Sequence, residues 1–147
     1  VFYLYRKYRV PPQIDFPQIA LTDLNGNKVS LNDRLGKPLV ISFGASWCGP
    51  CMKELRELSK VKASILAVAD VVFISDEDPG KIAMMRDQFN SDFIFLRLEG
   101  RFSDIGINSI PTTYLLNSSG KVVKEEVGYI DWSDQGHRQH LLKLMGN

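Results

Sequence analysis

Four residues, Cys48-Gly49-Pro50-Cys51, use every cysteine in the chain and stand where an apolar strand gives way to a helix. Two thiols separated by two residues can close a small disulfide and reopen it, the chemistry of a dithiol oxidoreductase rather than of a structural staple. The flanks constrain the fold. Upstream, Pro38-Leu39-Val40-Ile41-Ser42-Phe43 is short, apolar and β-branched, which predicts a buried strand with Pro38 at its first position, where a missing ladder donor is tolerated. Gly44-Ala45-Ser46 then lets the chain turn. Downstream, Met52, Leu55, Leu58, Val61 and Ile65 recur at spacings of three and four, which predicts a helix with one apolar face over 50–66. The cysteines therefore sit at a helix N-terminus, where unpaired N–H groups and the positive end of the dipole favour the thiolate of Cys48. Pro50 belongs in a first turn, where its missing N–H costs nothing. Cys48, nearer the exposed helix end, is the expected nucleophile, and Cys51, one turn deeper, is placed to resolve a mixed disulfide.

Trp47 followed by this motif, after an apolar strand, resembles the thioredoxin superfamily. Further along, Ile110-Pro111-Thr112-Thr113-Tyr114-Leu115-Leu116 resembles that superfamily's cis-proline loop and following strand, and Asn117-Ser118-Ser119-Gly120-Lys121-Val122-Val123 its hairpin turn and last strand. Gly128 falls where the family usually has a glycine. Three features resemble the TlpA-like and ResA-like extracytoplasmic thiol-disulfide oxidoreductases in particular. Phe16 to Leu35 looks like their opening hairpin, with Leu24-Asn25-Gly26-Asn27 as its turn. Val71 to Asp76, followed by Pro79 to Phe89, looks like their extra strand-helix unit. Glu54, three residues after Cys51, matches a glutamate that the group often carries.

The resemblance covers the chain from about Phe16 onward and implies an α/β, thioredoxin-like fold. Its parts are a central mixed β-sheet flanked by helices, an N-terminal hairpin and an inserted strand-helix unit. It also implies a substrate-docking surface made of Trp47, Gly49, Pro50, Ile110 and Pro111. A cis Ile110–Pro111 bond would lay the Ile110 backbone against the cysteines, offering N–H and C=O groups to an extended substrate. Without the resemblance, Pro111 reads as an ordinary loop proline, since cis X-Pro bonds are only about 5–6% of those in folded proteins. Trp47 reads either as core filling or as a partly exposed wall of that surface. Trp132 reads as packing at the start of the last helix.

One departure concerns proton transfer. Thioredoxin itself usually has a buried aspartate six residues ahead of its first cysteine, and here that position is Ser42. Glu54 could take over, because it shares a helical face with Cys51 and could exchange a proton with that thiol. The competing reading leaves Glu54 in water on a charged surface with Lys53, Arg56 and Glu57.

Length and charge set outer bounds. The chain has 147 residues and a net charge of +1 with dispersed basic residues, which predicts one domain over 13–147 and no nucleic-acid footprint. Strands are expected near Ile19, Val29, Val40, Val72, Phe93-Ile94-Phe95, Tyr114 and Val122, with helices over 50–66, 79–89 and 133–145 on both faces of the sheet. Residues 1–12 form an arm with two readings. Val1-Phe2-Tyr3-Leu4-Tyr5 followed by Arg6-Lys7-Tyr8-Arg9 fits the trimmed remnant of a membrane anchor or signal segment, or else a short edge strand or loose arm. Pro11-Pro12 is a stiff break before the domain.

The expected activity is a protein-disulfide reductase. Its only redox group is the Cys48–Cys51 disulfide, with no other cofactor and no metal. Its partners are disulfide-containing protein substrates, apocytochrome c among the candidates, and an upstream thiol-disulfide electron donor. A monomer is expected, extracytoplasmic by resemblance with the cytoplasm as alternative, and touching a membrane only through an N-terminal anchor. An oxidase or isomerase differs from a reductase only in redox poise. A non-catalytic adaptor would have no need of both cysteines. A peroxidase or copper-handling relative fits poorly: copper chaperones of this fold space their cysteines by three residues, and His137 and His140 read as decoration of the last helix. A closed zinc site would need two further ligands.

Overall fold

The strand predicted from residues 38–43 is the centre of the molecule: β3 (Leu39–Phe43) is buried at all five positions. The computed structural model describes residues 14–34, 36–89 and 92–146. The arm expected over residues 1–12 lies outside the described residues. β3 pairs in parallel with β4 (Asp70–Ser75) and antiparallel with β6 (Thr112–Leu116), so both of its edges are filled. The remaining strands are β1 (Leu21–Thr22), β2 (Lys28–Val29), β5 (Ile94–Leu98) and β7 (Val122–Val127). They complete a mixed sheet in the order β2-β1-β5-β4-β3-β6-β7, an α/β thioredoxin-like architecture with the opening hairpin at one edge.

Alternation along β3 and β4 splits the core in two, because successive side chains of a strand point to opposite faces. Val40, Val71 and Phe73 face one cluster, while Leu39, Ile41, Phe43, Val72 and Ile74 face the other. The α-helices are α1 (Gly49–Lys60), α2 (Lys62–Leu66), α3 (Pro79–Phe89) and α4 (Gln135–Met145). Among the described residues, all four send buried side chains into the first cluster: Leu55 and Leu58, Ile65, Ile82 and Met85, Leu141 and Met145. The opposite face is closed by single 3-10 turns that contribute Phe16, Leu31 and Phe102. The helices expected on both faces of the sheet are thus gathered on one, because their apolar stripes all pack into the first cluster, and among the described residues the only helical elements on the other face are 3-10 turns.

Three boundaries differ from the sequence expectation. The helix predicted over 50–66 is two helices, because Val61 leaves helical dihedrals (φ −113°, ψ 19°) and shares its N–H between the carbonyls of Glu57 and Leu58. The periodicity ran through this break because Leu58 and Ile65 are buried on either side of it. The first strand starts at Leu21 rather than near Ile19, because Phe16-Pro17-Gln18 coils into a 3-10 turn that ends at Ile19. The last helix starts at Gln135, capped by the Asp134 carboxylate, which accepts the Gly136 N–H.

Candidate active site

β3 ends at Phe43 and α1 starts at Gly49, so the cysteines lie on the strand-to-helix link that the motif predicted. Cys48 is the N-cap of α1 and Cys51 lies in its first turn. The two are joined as a disulfide with a Cα–Cα distance of 5.2 Å, inside the ordinary range. The Cys51 N–H, an unpaired donor of the helix start, donates to Cys48 Sγ at 3.2 Å. The expected order of depth holds by a narrow margin. Cys48 is 5% exposed and Cys51 2%, and the exposed surface belongs to Gly49, Pro50 and above all Trp47, at 73%. Trp47 is therefore no part of the core.

The Ile110–Pro111 peptide bond is cis, and the Ile110 carbonyl oxygen lies 3.9 Å from Cys48 Sγ. Ile110 packs against the small cluster of Ala45, Cys48 and Cys51, together with Met52. Pro111 is buried, and its carbonyl accepts the N–H of Gly128 at 2.8 Å. Gly128 has φ 102°, a left-handed backbone that side chains resist, which is a physical reason for glycine there.

Gly44 is a different case. Its backbone is ordinary, so turn freedom is not its role. A Cβ built there would lie 2.9 Å from Phe73 Cζ and 3.1 Å from Cys51 Sγ. The missing side chain makes room for the inner sulfur and the ring behind it. Gly44→Ala is expected to cost about 1–3 kcal/mol by overpacking, read as a lowered thermal midpoint of the oxidised protein; an unchanged midpoint would mean that the Phe73 ring yields freely.

Glu54 corrects the solvent-facing reading, because it is 1% exposed and points inward from α1. One carboxylate oxygen accepts the Ile130 N–H at 2.7 Å. The other is approached by the hydroxyls of Ser42 at 3.5 Å and Thr113 at 3.3 Å, both long for hydrogen bonds. Ser42 and Thr113 face each other across β3 and β6, so strand register builds this cradle. Burial pushes the Glu54 carboxyl up to about 7, against the pull of Ile130, Thr113 and Ser42, while Glu57 adds a repulsion. A carboxyl in that range can take or give a proton at neutral pH. The loop that brings Ile130 is held to the same helix, since the Tyr129 hydroxyl donates to Glu57 and Lys53 sits 4.7 Å over the Tyr129 ring.

Sequence reasoning missed Thr113 as a partner of Glu54, although the β3–β6 register would have paired it with Ser42. It also missed Glu77, for which no local signal exists. Glu77 comes from the loop between β4 and α3, yet its carboxylate accepts the Ser46 N–H at 2.7 Å and the Ser46 and Ser75 hydroxyls at 2.6 and 2.9 Å. Against the cost of desolvation, those donors hold its carboxyl below the ordinary value. The inserted strand-helix unit thereby ties down the turn that carries Trp47 and Cys48. Trp132 is fully buried, as the packing reading requires, with no partner for its indole N–H among the described residues. His137 and His140 are exposed on α4, and no group of three or more potential metal ligands occurs among the described residues.

These elements have known counterparts. The Redoxin family model matches residues 12–140. The chain is 35% identical over 117 residues to the thioredoxin-like protein YneN of Bacillus subtilis, covering 76% of this chain and 69% of that one. It is 28% identical over 116 residues to the thiol-disulfide oxidoreductase ResA of Bacillus thuringiensis, covering 76% and 67%. Its fold matches the crystal structure of a secreted disulfide oxidoreductase of Mycobacterium tuberculosis with a TM-score of 0.70 at 21% identity, over 88% of this chain and 97% of that one. A paired dithiol at the head of α1, on a fold and sequence shared with such proteins, makes this chain a thiol-disulfide oxidoreductase of the Redoxin family, in the TlpA- and ResA-like branch of the thioredoxin superfamily.

Proposed function

We propose that the chain works as a reductase of protein disulfides. The Cys48 thiolate attacks a substrate disulfide, forming a mixed disulfide and releasing one substrate thiolate. The Cys51 thiolate then attacks Cys48 Sγ, releases the second substrate thiolate and closes the internal bond. Two electrons pass to the substrate, and an upstream dithiol protein restores the Cys48–Cys51 pair, with no other cofactor. Glu54, one turn beyond Cys51, accepts the Cys51 proton as that thiol becomes the attacking group.

The observation that carries the reading is the contact of Cys48 Sγ with a helix-start N–H on one side and the Ile110 carbonyl on the other. The first favours a thiolate, and the second sets a main-chain edge beside the reacting sulfur. An extended substrate segment would add to the Ile110 backbone beside Pro111, with Trp47, Gly49 and Pro50 as the exposed wall. Substrate choice through main chain suits many proteins, apocytochrome c among them. In this proposal residues 13–147 are one monomeric domain acting outside the cytoplasm, as the resemblance to the extracytoplasmic group suggests, and residues 1–12 supply any membrane attachment. No described helix is long and apolar enough to cross a membrane.

The direction of electron flow is tested by equilibrating the protein in graded thiol buffers. A reductase is expected to show a potential of about −250 mV or below, in the range of thioredoxin. A value toward about −120 mV would make the protein an oxidant and reverse the scheme.

A further inference from the structure

A groove of about 360 Å³ opens between α1 and α3. Met52 and Arg56 line it from α1, Lys81, Met84 and Met85 from α3, and Ser46 from the turn before Trp47. Three properties distinguish it from ordinary surface. It shares a wall with the reacting centre, because Met52 lines it and also packs against the cluster that holds Cys48 and Cys51. It joins a buried apolar side chain to an exposed, adaptable one: Met85 is 2% exposed, whereas Met84 is 72% exposed. Methionine side chains repack around varied partners at small cost.

The charged side chains that line it are basic. Among the described residues they are Arg56 and Lys81, and neither is taken up by a salt bridge. Arg56 is positioned by stacking over the Phe89 ring at 5.8 Å. Lys81 feels Glu77, but that carboxylate is turned to the Ser46 and Ser75 donors.

We propose that this groove receives the stretch of a protein substrate that flanks its reacting cysteine, and that it selects extended segments combining apolar with acidic side chains. The apolar residues lie on the methionines, and the carboxylates meet Arg56 and Lys81. Recognition through the Ile110 backbone is indifferent to sequence, so this groove supplies the discrimination that the cis-proline edge lacks. The proposal rests on Cys48 being the attacking thiolate. Since the favourable charge acts during approach, preference is strongest at low ionic strength.

The test uses the reduced full chain and three disulfides: hydroxyethyl disulfide, which is small and neutral, and two synthetic peptides with one identical cystine. One peptide flanks the cystine with leucine and glutamate, the other with leucine and lysine. Exchange rates on the peptides are divided by the same protein's rate on hydroxyethyl disulfide, which absorbs any change in the thiolate itself. The acidic peptide is expected to react about tenfold faster than the basic one at low salt, with the ratio shrinking at high salt. In the double variant Arg56→Glu, Lys81→Glu the order is expected to invert. A ratio near one in the wild type, or a preference that survives charge reversal, overturns the groove proposal while leaving Cys48 chemistry intact. Failure of the wild type to react with hydroxyethyl disulfide overturns the nucleophile reading beneath it.

Discussion

Cys48→Ser is expected to abolish turnover, whereas Cys51→Ser is expected to retain one attack and then accumulate a covalent complex with substrate. The asymmetry follows from position. Cys48 caps α1 beside the Ile110 carbonyl, with the exposed Gly49, Pro50 and Trp47 around it, so a substrate sulfur can approach there. Cys51 is less exposed, lies against Gly44 and is bonded to the sulfur of its partner. Serine at 48 removes the sulfur that makes the first bond. Serine at 51 leaves that bond to form but removes the thiolate that breaks it, so the mixed disulfide persists until an outside thiol arrives. Non-reducing electrophoresis and mass spectrometry after mixing with a disulfide-bearing protein would display the trapped species. Wild-type turnover by either variant would end the mechanism.

Glu54→Gln is expected to change both stability and rate in ways that depend on pH. The ordinary carboxyl value is 4.5, and burial raises it to about 7 in the folded protein. The folded state therefore holds this proton more tightly than the unfolded chain. Stability from the group is complete below about pH 4.5 and is lost as pH rises through about 7, because the charged form must stay buried. At about 1.4 kcal/mol per pKa unit, the total is about 3 kcal/mol. Glutamine can still accept the Ile130 N–H and lie between the Ser42 and Thr113 hydroxyls, but it does not titrate. The stability of the wild type relative to the variant should fall by about 2.5 kcal/mol between pH 5 and pH 8, the rest being lost below pH 5, as measured by denaturant unfolding at each pH. A difference that stays flat across this range would contradict the buried, titrating carboxyl. If Glu54 takes the Cys51 proton, the variant should also resolve a mixed disulfide about 100-fold more slowly near neutral pH and lose the pH dependence centred near 7. Loss of the stability profile without loss of the rate profile would leave Glu54 as a structural residue only.

Much of the fold was legible because its signals are local. The apolar run 39–43, the three-and-four spacing along α1, Pro79 at the start of α3 and the turn residues around Gly26 and Gly120 each act within a few residues of themselves. The break at Val61 was not legible for the same reason. Periodicity reports which face is apolar, and Leu55, Leu58 and Ile65 satisfy that requirement whether or not the axis continues. Gly44 shows the limit of residue type as a guide: glycine in a strand-to-helix link suggests a turn, but the reason for it here is the approach of Phe73 and Cys51.

Amino-acid order by itself determined that this protein is built around one dithiol at the N-terminus of a helix, since the spacing of two cysteines and the elements around them are properties of adjacent residues. Only the tertiary structure decided what surrounds that dithiol. Ser42, Glu54, Thr113 and Ile130 meet because β3, α1, β6 and the last loop converge, and Glu77 reaches Ser46 across 31 positions. Burial sets the proton affinity of a carboxyl, and burial is a property of whatever covers a residue. A solvated surface charge and a buried carboxyl of raised proton affinity therefore look alike in the segment Lys53-Glu54, and the packing of distant strands makes them different.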